Sequence, residues 1–220
     1  MRGELIPPLL GYYTMAGGAV PWTEGPLVVG DSFTAADGTD LNGRTPDVIN
    51  TPGNTWSATA NTLAVASNKI TPVVSATDVT VQATYDLEAS NYLAKLTFYY
   101  GQTSGNAMLC QIIFRYQDAT HFLSLSFGKY LGASLWKIMS HNGGTITDLT
   151  VGTYTFSNNT PYVISLQASW NDIVATVNGG TTLTTSSELF ATATGIGVMI
   201  YERTTITNKA AIDDFQVYTL

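Results

Sequence analysis

The sequence predicts an all-β protein, an antiparallel β-sandwich (jelly roll) of about a dozen strands. Its composition is the first indication, because 11% of the 220 residues are charged while 45% are hydrophobic. Such a chain has ample material for a core and is not disordered. Threonine and glycine are abundant, whereas lysine and glutamate are scarce, which favours strands and turns over helices. Period-two alternation and turn residues spaced by roughly 8–12 residues are the other two indications.

The first element is an extended N-terminal arm, residues 1–28, in which prolines and glycines alternate with apolar and aromatic side chains. Regular structure is not expected there, yet a free tail would normally be polar. One interpretation is a strap that packs on its own domain, and another is an arm that docks on a neighbouring subunit. A leftover segment without a structural role is the third. The candidate docking residues are Leu9, Leu10, Tyr12, Tyr13 and Trp22.

Residues 29–220 follow as one β-sandwich domain, because no break in composition divides them. Several segments alternate apolar and polar residues, which is typical of strands with one buried face. Trp170 shares its parity with Ile164 and Leu166, so we expect it to face the core. Two further segments are richer in apolar residues and are predicted to be central strands. The predicted strands include 79–87, 92–100, 108–116, 123–127, 162–170 and 173–177.

Turn residues separate these strands. Asn142-Gly143 and Asn178-Gly179 are predicted to form two-residue hairpin turns, since asparagine and glycine tolerate the positive φ of type I′ turns. Asn171-Asp172 connects the strand that ends at Trp170 to the next strand. Consecutive hairpins of this kind build antiparallel sheets.

Charge and targeting signals exclude several functions. The net charge is −7 and the nine basic residues are scattered, which argues against nucleic-acid and anionic-membrane binding. Cys110 is the sole cysteine and lies in an apolar segment, so we expect a buried, inert thiol. Glu4 and Pro7-Pro8 interrupt the apolar N-terminal run, so we expect no signal peptide and synthesis in a cytoplasm.

Three stretches carry a resemblance to a known family. The first is Gly30-Asp-Ser-Phe33 with the segment 37–47 and Trp56; the second is the strand pair 160–166 and 173–179. The third is Thr194-Gly-Ile-Gly-Val-Met199 followed by Ala211-Ile-Asp-Asp-Phe-Gln-Val217. In this order and spacing they resemble the concanavalin A-like lectin/glucanase superfamily, specifically its laminin-G-like jelly rolls.

The resemblance implies two curved antiparallel sheets, with the first strand, near Phe33, beside the last strand, near Phe215. Members of the superfamily include sugar-binding lectins, glycan hydrolases, and non-catalytic domains of bacteriophage and other virion proteins. A shared fold does not choose among these functions.

The sequence gives no indication of catalysis. The glucanases of this superfamily carry paired acids as Glu-x-Asp-x-x-Glu on one strand, and this chain has no such string. Asp213 and Asp214 are adjacent, so on a regular strand they would face opposite sides. His121 and His141 lie near turns and are interpreted as solvated or locally hydrogen-bonded. We therefore predict a protein that is not an enzyme.

Structural calcium is the one metal that the sequence favours. Asp31 and Asp213 would approach each other if the first and last strands pair, and calcium prefers carboxylate oxygens. Asp213 shares its parity with Phe215 and Val217, so we expect it to lean toward the core. The alternative is that the carboxylates accept backbone hydrogen bonds. No other cofactor is predicted.

Carbohydrate binding would use aromatic platforms and nearby polar groups. We predict Trp136 as the exposed platform, because Ser134 and Lys137 beside it indicate a solvated edge. Further candidates with adjoining polar segments are Tyr130, Tyr201 and Asn171.

Two functions follow from these observations and the resemblance. The first is a structural or accessory protein of a virus particle, a bacteriophage above all: capsid decoration, head fibre or tail-associated protein. It would be located in the virion, assemble with itself and other virion proteins through residues 1–28, and contact host glycans. The second is a stand-alone, extracellular carbohydrate-binding module or lectin.

Overall fold

The computed structural model describes residues 24–49, 51–59, 62–73, 79–101, 108–130, 132–202 and 210–220. Within these ranges the chain forms sixteen β-strands and no helix, and the strands make two antiparallel sheets packed as a sandwich. The predicted all-β fold is therefore confirmed. No described segment is a helix long and apolar enough to cross a membrane.

The larger sheet has nine strands, in the order β14-β13-β12-β7-β16-β1-β2, with β5 paired to β16 and β4 paired to β5. The segments predicted at 92–100, 162–170 and 173–177 correspond to three of these strands. The strands of this sheet are β1 (Leu27–Asp31), β2 (Val48–Ile49), β4 (Leu63–Ala66), β5 (Lys69–Pro72), β7 (Tyr92–Tyr100), β12 (Thr160–Ser169), β13 (Asp172–Val177), β14 (Thr181–Ser186) and β16 (Ala211–Thr219).

The smaller sheet has seven strands, in the order β11-β10-β9-β8-β15-β6-β3. Hairpins join β8 to β9, β9 to β10 and β10 to β11, so neighbours in sequence are neighbours in space. The strands of this sheet are β3 (Ser57–Ala58), β6 (Val79–Asp86), β8 (Met108–Asp118), β9 (His121–Tyr130), β10 (Ala133–Asn142), β11 (Thr145–Val151) and β15 (Gly195–Glu202).

The core lies between the sheets and takes every second residue of most strands, as the alternation predicts. Leu125 and Val198 of the seven-stranded sheet, for example, belong to the same continuous apolar cluster as Leu96 and Ile164 of the nine-stranded sheet. Cys110 belongs to this cluster, and burial raises the pKa of its thiol well above the usual range. The predicted inert cysteine agrees with this environment.

The first and last strands pair as the resemblance implied, with Asp31 opposite Phe215. The expected inward orientation of Asp213 is wrong, however. The register of β16 against β7 shifts between Asp213 and Gln216, and Asp214 has a φ of 51°. This bulge keeps Phe215 in the core while the Asp213 side chain lies 3.9 Å from Lys69 on the outside.

Two turn predictions are corrected in register. Asn142 is the last residue of β10 and pairs with Thr145, so the positive φ values fall on Gly143 and Gly144. β12 ends at Ser169, one residue before the predicted limit. Trp170 therefore lies in the turn and is 78% exposed, so its expected core position is wrong.

The described part of the chain joins the nine-stranded sheet from residue 24 onward. β1 begins at Leu27, and the amide of Gly25 donates to the carbonyl of Thr219 at 3.2 Å. Glu24 forms an ion pair with Lys95 on β7. The predicted docking residues Leu9, Leu10, Tyr12, Tyr13 and Trp22 lie outside the described residues.

Candidate functional site

One β-bulge shapes the end of the sandwich where β8 finishes. Along β15, Gly195 pairs with Tyr116 and Ile196 pairs with Phe114, so Arg115 is the extra residue. Its φ is 49°, which few residues other than glycine adopt. The bulge reverses the alternation, and Arg115 is fully buried while Tyr116 contacts the outer cluster of the seven-stranded sheet.

The buried Arg115 forms hydrogen bonds with three parts of the chain: the turn after β12, the segment after β14, and Tyr92 on β7. Its guanidinium donates to the carbonyl of Ser187 at 2.7 Å and to the carbonyl of Trp170. Its own amide donates to the Tyr92 hydroxyl at 3.2 Å. Burial lowers the pKa of Arg115, although the group stays charged at neutral pH. Within the described residues Arg115 forms no ion pair. The two backbone carbonyls that accept from its guanidinium are therefore the main groups that offset the cost of burying its charge.

A groove of about 500 Å³ opens beside Tyr116, between the ends of β6, β8 and β15. Four threonines and one serine line it, together with the amides of Asn54 and Gln117. Asp86 is the one ionised side chain in this lining. The groove therefore offers many neutral hydrogen-bonding groups and a single negative charge.

The polar groups of the groove are held in place. One oxygen of Asp86, Oδ1, accepts from the Thr194 hydroxyl at 2.6 Å and from the Glu88 amide at 3.0 Å. The side-chain amide of Asn54 donates to the Asp86 carbonyl at 3.1 Å. Among the described residues Oδ2 receives no hydrogen bond, so it is available to a hydroxyl donor.

Tyr116 supplies an aromatic wall. Its ring lies 6.0 Å from that of Phe122, measured between centroids, and packs against a small apolar cluster with Ile113 and Met199. Burial, and then the charge of Asp118, raise the pKa of the Tyr116 hydroxyl, so it remains a neutral donor at physiological pH. An aromatic ring beside a carboxylate and amides is an arrangement that suits a sugar.

Trp136 is not the exposed platform that its neighbours suggested. It lies on the inward face of β10, is 1% exposed, and belongs to the core cluster. Ser134 and Lys137 gave a misleading signal. Ser134 lies near the start of the strand, and Lys137 lies on the opposite face of the strand from Trp136. The expected exposure of Trp136 is therefore wrong.

Tyr130 and Tyr201 are brought together, and neither lines the groove. Their ring centroids are 6.1 Å apart across the outer face of the seven-stranded sheet. Tyr130 is 40% exposed and Tyr201 is half-buried. A role for this pair in sugar binding stays a prediction. Asn171 lies at the groove end, in the turn that follows β12.

Asp31 does not fit the predicted calcium site. Its Oδ1 accepts from the Phe33 amide and Arg44, and its Oδ2 accepts from Arg44 and from the Trp56 indole, all at 2.8–3.2 Å. The hydrogen bond to Asp31 raises the pKa of Arg44, so a guanidinium supplies the positive charge here. No cluster of three or more potential metal ligands occurs in the described ranges. Calcium binding by Asp31 and Asp213 stays a prediction that these bonds do not support.

Both histidines have local partners. His121 lies 2.9 Å from Asp118, and His141 stacks on Phe122 with ring centroids 4.0 Å apart. His141 also lies 3.1 Å from the Ser124 hydroxyl. The expected local hydrogen bonding of both imidazoles is confirmed.

The sequence matches no protein-family model and no curated protein. Its fold, by contrast, is similar to many solved structures. The CBM2 module of the evolved Dit protein of Lactobacillus casei BL23 phage J-1 superposes with a TM-score of 0.61 at 11% identity, over 88% of this chain and 95% of that chain.

Two further solved structures show the same similarity. Domain 4 of AbnA, a GH43 extracellular arabinanase from Geobacillus stearothermophilus, in complex with arabinotriose, has a TM-score of 0.58 at 14% identity, over 90% of this chain and 94% of that chain. The Ca²⁺-bound exoplasmic/lumenal domain of VIP36 has a TM-score of 0.63 at 9% identity, over 84% and 90%. At such identities the similarity shows the fold alone, and that fold is a lectin-like β-sandwich, in agreement with the resemblance seen in the sequence.

Proposed function

We propose that this protein binds glycans, without catalysing a reaction on them, through the groove beside Tyr116. The observation that carries the proposal is the lining of that groove. It places an aromatic ring, a preorganised carboxylate and several amides and hydroxyls around a cavity of about 500 Å³. Sugar recognition needs apolar ring faces and hydroxyls to be matched at the same time.

The single charge favours a neutral glycan over an anionic one. Asp86 would repel a sulfated or phosphorylated sugar, and the protein carries a net charge of −7. A neutral sugar hydroxyl can donate to the Oδ2 atom of Asp86, and charged acceptors make the stronger hydrogen bonds. A domain of similar fold from an arabinanase was solved in complex with arabinotriose, a neutral sugar, which supports the same class of ligand.

We propose further that the chain is an accessory protein of a bacteriophage particle, displaying this domain to host-surface glycans. The similarity to a module of a phage Dit protein supports this proposal. The apolar and aromatic residues of the arm suit docking into a larger assembly, including a second copy of the chain. A stand-alone carbohydrate-binding module is the alternative, favoured by the similarity to an arabinanase domain.

Glycan binding is tested on an array of arabino-, manno- and gluco-oligosaccharides and bacterial cell-wall polysaccharides. Wild-type protein is compared with Tyr116→Ala and Asp86→Asn, and we expect each substitution to lower the apparent affinity at least about tenfold. Asp148→Asn is the matched control, because Asp148 is an exposed carboxylate on the far edge strand β11. Equal binding by all four proteins would assign the sugar to another surface.

Assembly through the arm is tested by light scattering. The full chain is compared with a chain that starts at residue 24, since Glu24 and Gly25 are already bonded to the sandwich. The virion proposal predicts multimers for the full chain and monomers for the shortened one. Monomers in both cases, with glycan binding intact, would favour the stand-alone module.

A further inference from the structure

Trp170 is the most exposed large hydrophobic residue among those described, with 78% of its surface accessible. It is the first residue of a two-residue turn between β12 and β13. Its φ is 50°, a region that glycine and asparagine occupy far more easily than an aromatic residue. The position is therefore unfavourable for tryptophan on two counts, exposure and backbone conformation.

The surrounding structure fixes this turn. The Trp170 amide donates to the Asn91 side chain at 2.6 Å, and the Trp170 carbonyl accepts from the buried Arg115. The carbonyl of Asn171 accepts from the Ser187 amide at 2.8 Å, and Arg115 also holds the Ser187 carbonyl. Residues held in uncommon conformations by their neighbours are concentrated at functional sites.

The two residues that follow Trp170, and the carboxylate that Asn171 contacts, are polar. The Asn171 amide lies 3.4 Å from the carboxylate of Glu188, and Asp172 follows in sequence and is exposed. An aromatic ring that anchors a protein partner is normally surrounded by apolar groups that exclude water. An exposed ring in a turn that also carries an amide and carboxylates, in contrast, matches the alternating apolar faces and hydroxyls of a sugar.

We propose that Trp170, with Asn171 and Glu188, forms a second glycan-binding platform, separate from the groove. It would stack one pyranose or furanose ring on the indole while the amide and the carboxylate take its hydroxyls. The connection from Ser187 to Thr194 borders both sites, so one extended oligosaccharide or two branches can engage them together. The choice of ligand class rests on the proposed glycan-binding function.

The test uses the same array with the full chain. Trp170→Ala is compared with Tyr116→Ala and with Val163→Ala, a matched loss of an exposed apolar side chain on β12. We expect Trp170→Ala to lower the apparent affinity about tenfold or more, Trp170→Phe to retain part of it, and Val163→Ala to have no effect. Circular dichroism confirms that each variant is folded.

Tryptophan fluorescence gives an independent measurement. In a Trp22→Phe background, Trp170 is the accessible tryptophan, because Trp56 and Trp136 are buried. Each array glycan that binds is expected to lower the acrylamide quenching constant of the tryptophan fluorescence at least twofold. Trp170→Phe is expected to abolish this effect.

The outcomes separate the two proposals. If Tyr116→Ala loses binding while Trp170→Ala binds like wild type and its quenching is unchanged by glycans, the groove stands and the Trp170 platform is overturned. If Trp170→Ala loses binding while Tyr116→Ala retains it, the Trp170 platform is supported and the proposed groove site is contradicted. If wild-type protein binds no glycan on the array, both proposals are overturned.

Discussion

Two tryptophans, Trp136 within β10 and Trp170 in the turn between β12 and β13, illustrate how position decides the role of a side chain. Trp136 fills the core, where its ring contributes apolar burial, while Trp170 lies almost fully in solvent. Exposure of a large aromatic ring gives little folding stability, and at Trp170 it coincides with a φ of 50° that hydrogen bonds from neighbouring residues hold in place, which is why we assign it a functional role.

Alanine at these two positions is therefore expected to have opposite consequences. Trp136→Ala leaves a cavity and should lower the free energy of unfolding by about 3–5 kcal/mol. Trp170→Ala should change it by less than about 0.5 kcal/mol, because the ring is exposed. Urea unfolding of both variants checks the difference; similar losses would contradict the assignment of one to the core and the other to the surface.

Replacement of Trp170 by asparagine tests the strain at the turn. Asparagine tolerates a φ of 50° better than tryptophan does, so Trp170→Asn should keep or raise the melting temperature, by up to about 4 °C. Glycan binding should be lost at the same time. A lower melting temperature, measured by differential scanning fluorimetry, would show that the indole stabilises the turn.

Arg115 is expected to act as a positioning residue, because it contacts the turn and not the solvent. In Arg115→Met two carbonyl oxygens lose a charged donor, and we expect a loss of about 2–4 kcal/mol in the free energy of unfolding. Amide hydrogen exchange at Ser187 and Asn171 should accelerate in this variant. Unchanged exchange there would contradict the proposed clamp.

At the scale of the elements, the strands were predictable and the irregularities were not. Alternation located β6, β9, β12 and β13, since one buried face imposes period two, and richness in apolar residues located β7 and β8. The bulges at Arg115 and Asp214 break that period without a glycine or proline to mark them. Consequently the sequence could not predict that Tyr116 borders a groove or that Asp213 turns outward.

Strand ends and long-range pairings, which local patterns do not contain, also explain which residues near the proposed glycan sites were predicted and which were not. Parity assigned Trp170 to the core because the end of β12 could not be fixed to one residue. Asp86 and Asn54 join the groove through pairings between distant segments, which no local pattern contains. Tyr130 and Tyr201 do lie together, because β9 and β15 both flank β8.

The close packing of β15 against β6 gives a prediction at the element scale. A Cβ atom on Gly197 would lie 2.1 Å from the Ala83 carbonyl oxygen and 2.9 Å from the Thr84 Cα. Gly197→Ala should therefore separate the strands beside the groove and cost at least about 2 kcal/mol in the free energy of unfolding. Gly180→Ala is the control, since its Cβ would meet nothing closer than 3.8 Å and its φ is not positive. Equal melting temperatures for the two variants would contradict this packing.

At the scale of the whole molecule, His141 is expected to make stability depend on pH. Burial, and then the charge of Lys137, lower its pKa from the usual value of about 6.5. The unfolded chain therefore binds more protons than the folded one just below pH 6.5, and stability falls as the pH decreases through that range. Asp118, with a pKa of about 2, titrates at lower pH.

The measurement is the melting temperature between about pH 7 and pH 5, compared with that of His141→Asn. The wild-type protein should lose stability over this interval, and the variant should show a flatter profile. Identical profiles would place the protonation step on another group.

The described residues form a β-sandwich with a polar end that carries the groove and the Trp170 turn, and the sequence of residues 1–28 is rich in apolar and aromatic side chains. A charge content of 11% leaves a surface of hydroxyls and amides, which matches a neutral glycan better than a charged partner. We propose that the N-terminus mediates assembly and that one end of the sandwich binds the glycan.

The most direct test is amide chemical-shift mapping of the full chain titrated with each glycan that the array retains. Binding in the groove predicts shift changes at Gln117, Thr194 and Gly195, which line it. The same changes should be absent in Tyr116→Ala. Shift changes confined to the Tyr130–Tyr201 pair, with the groove amides unmoved, would contradict the proposed site and move the glycan to the opposite end of the sheet.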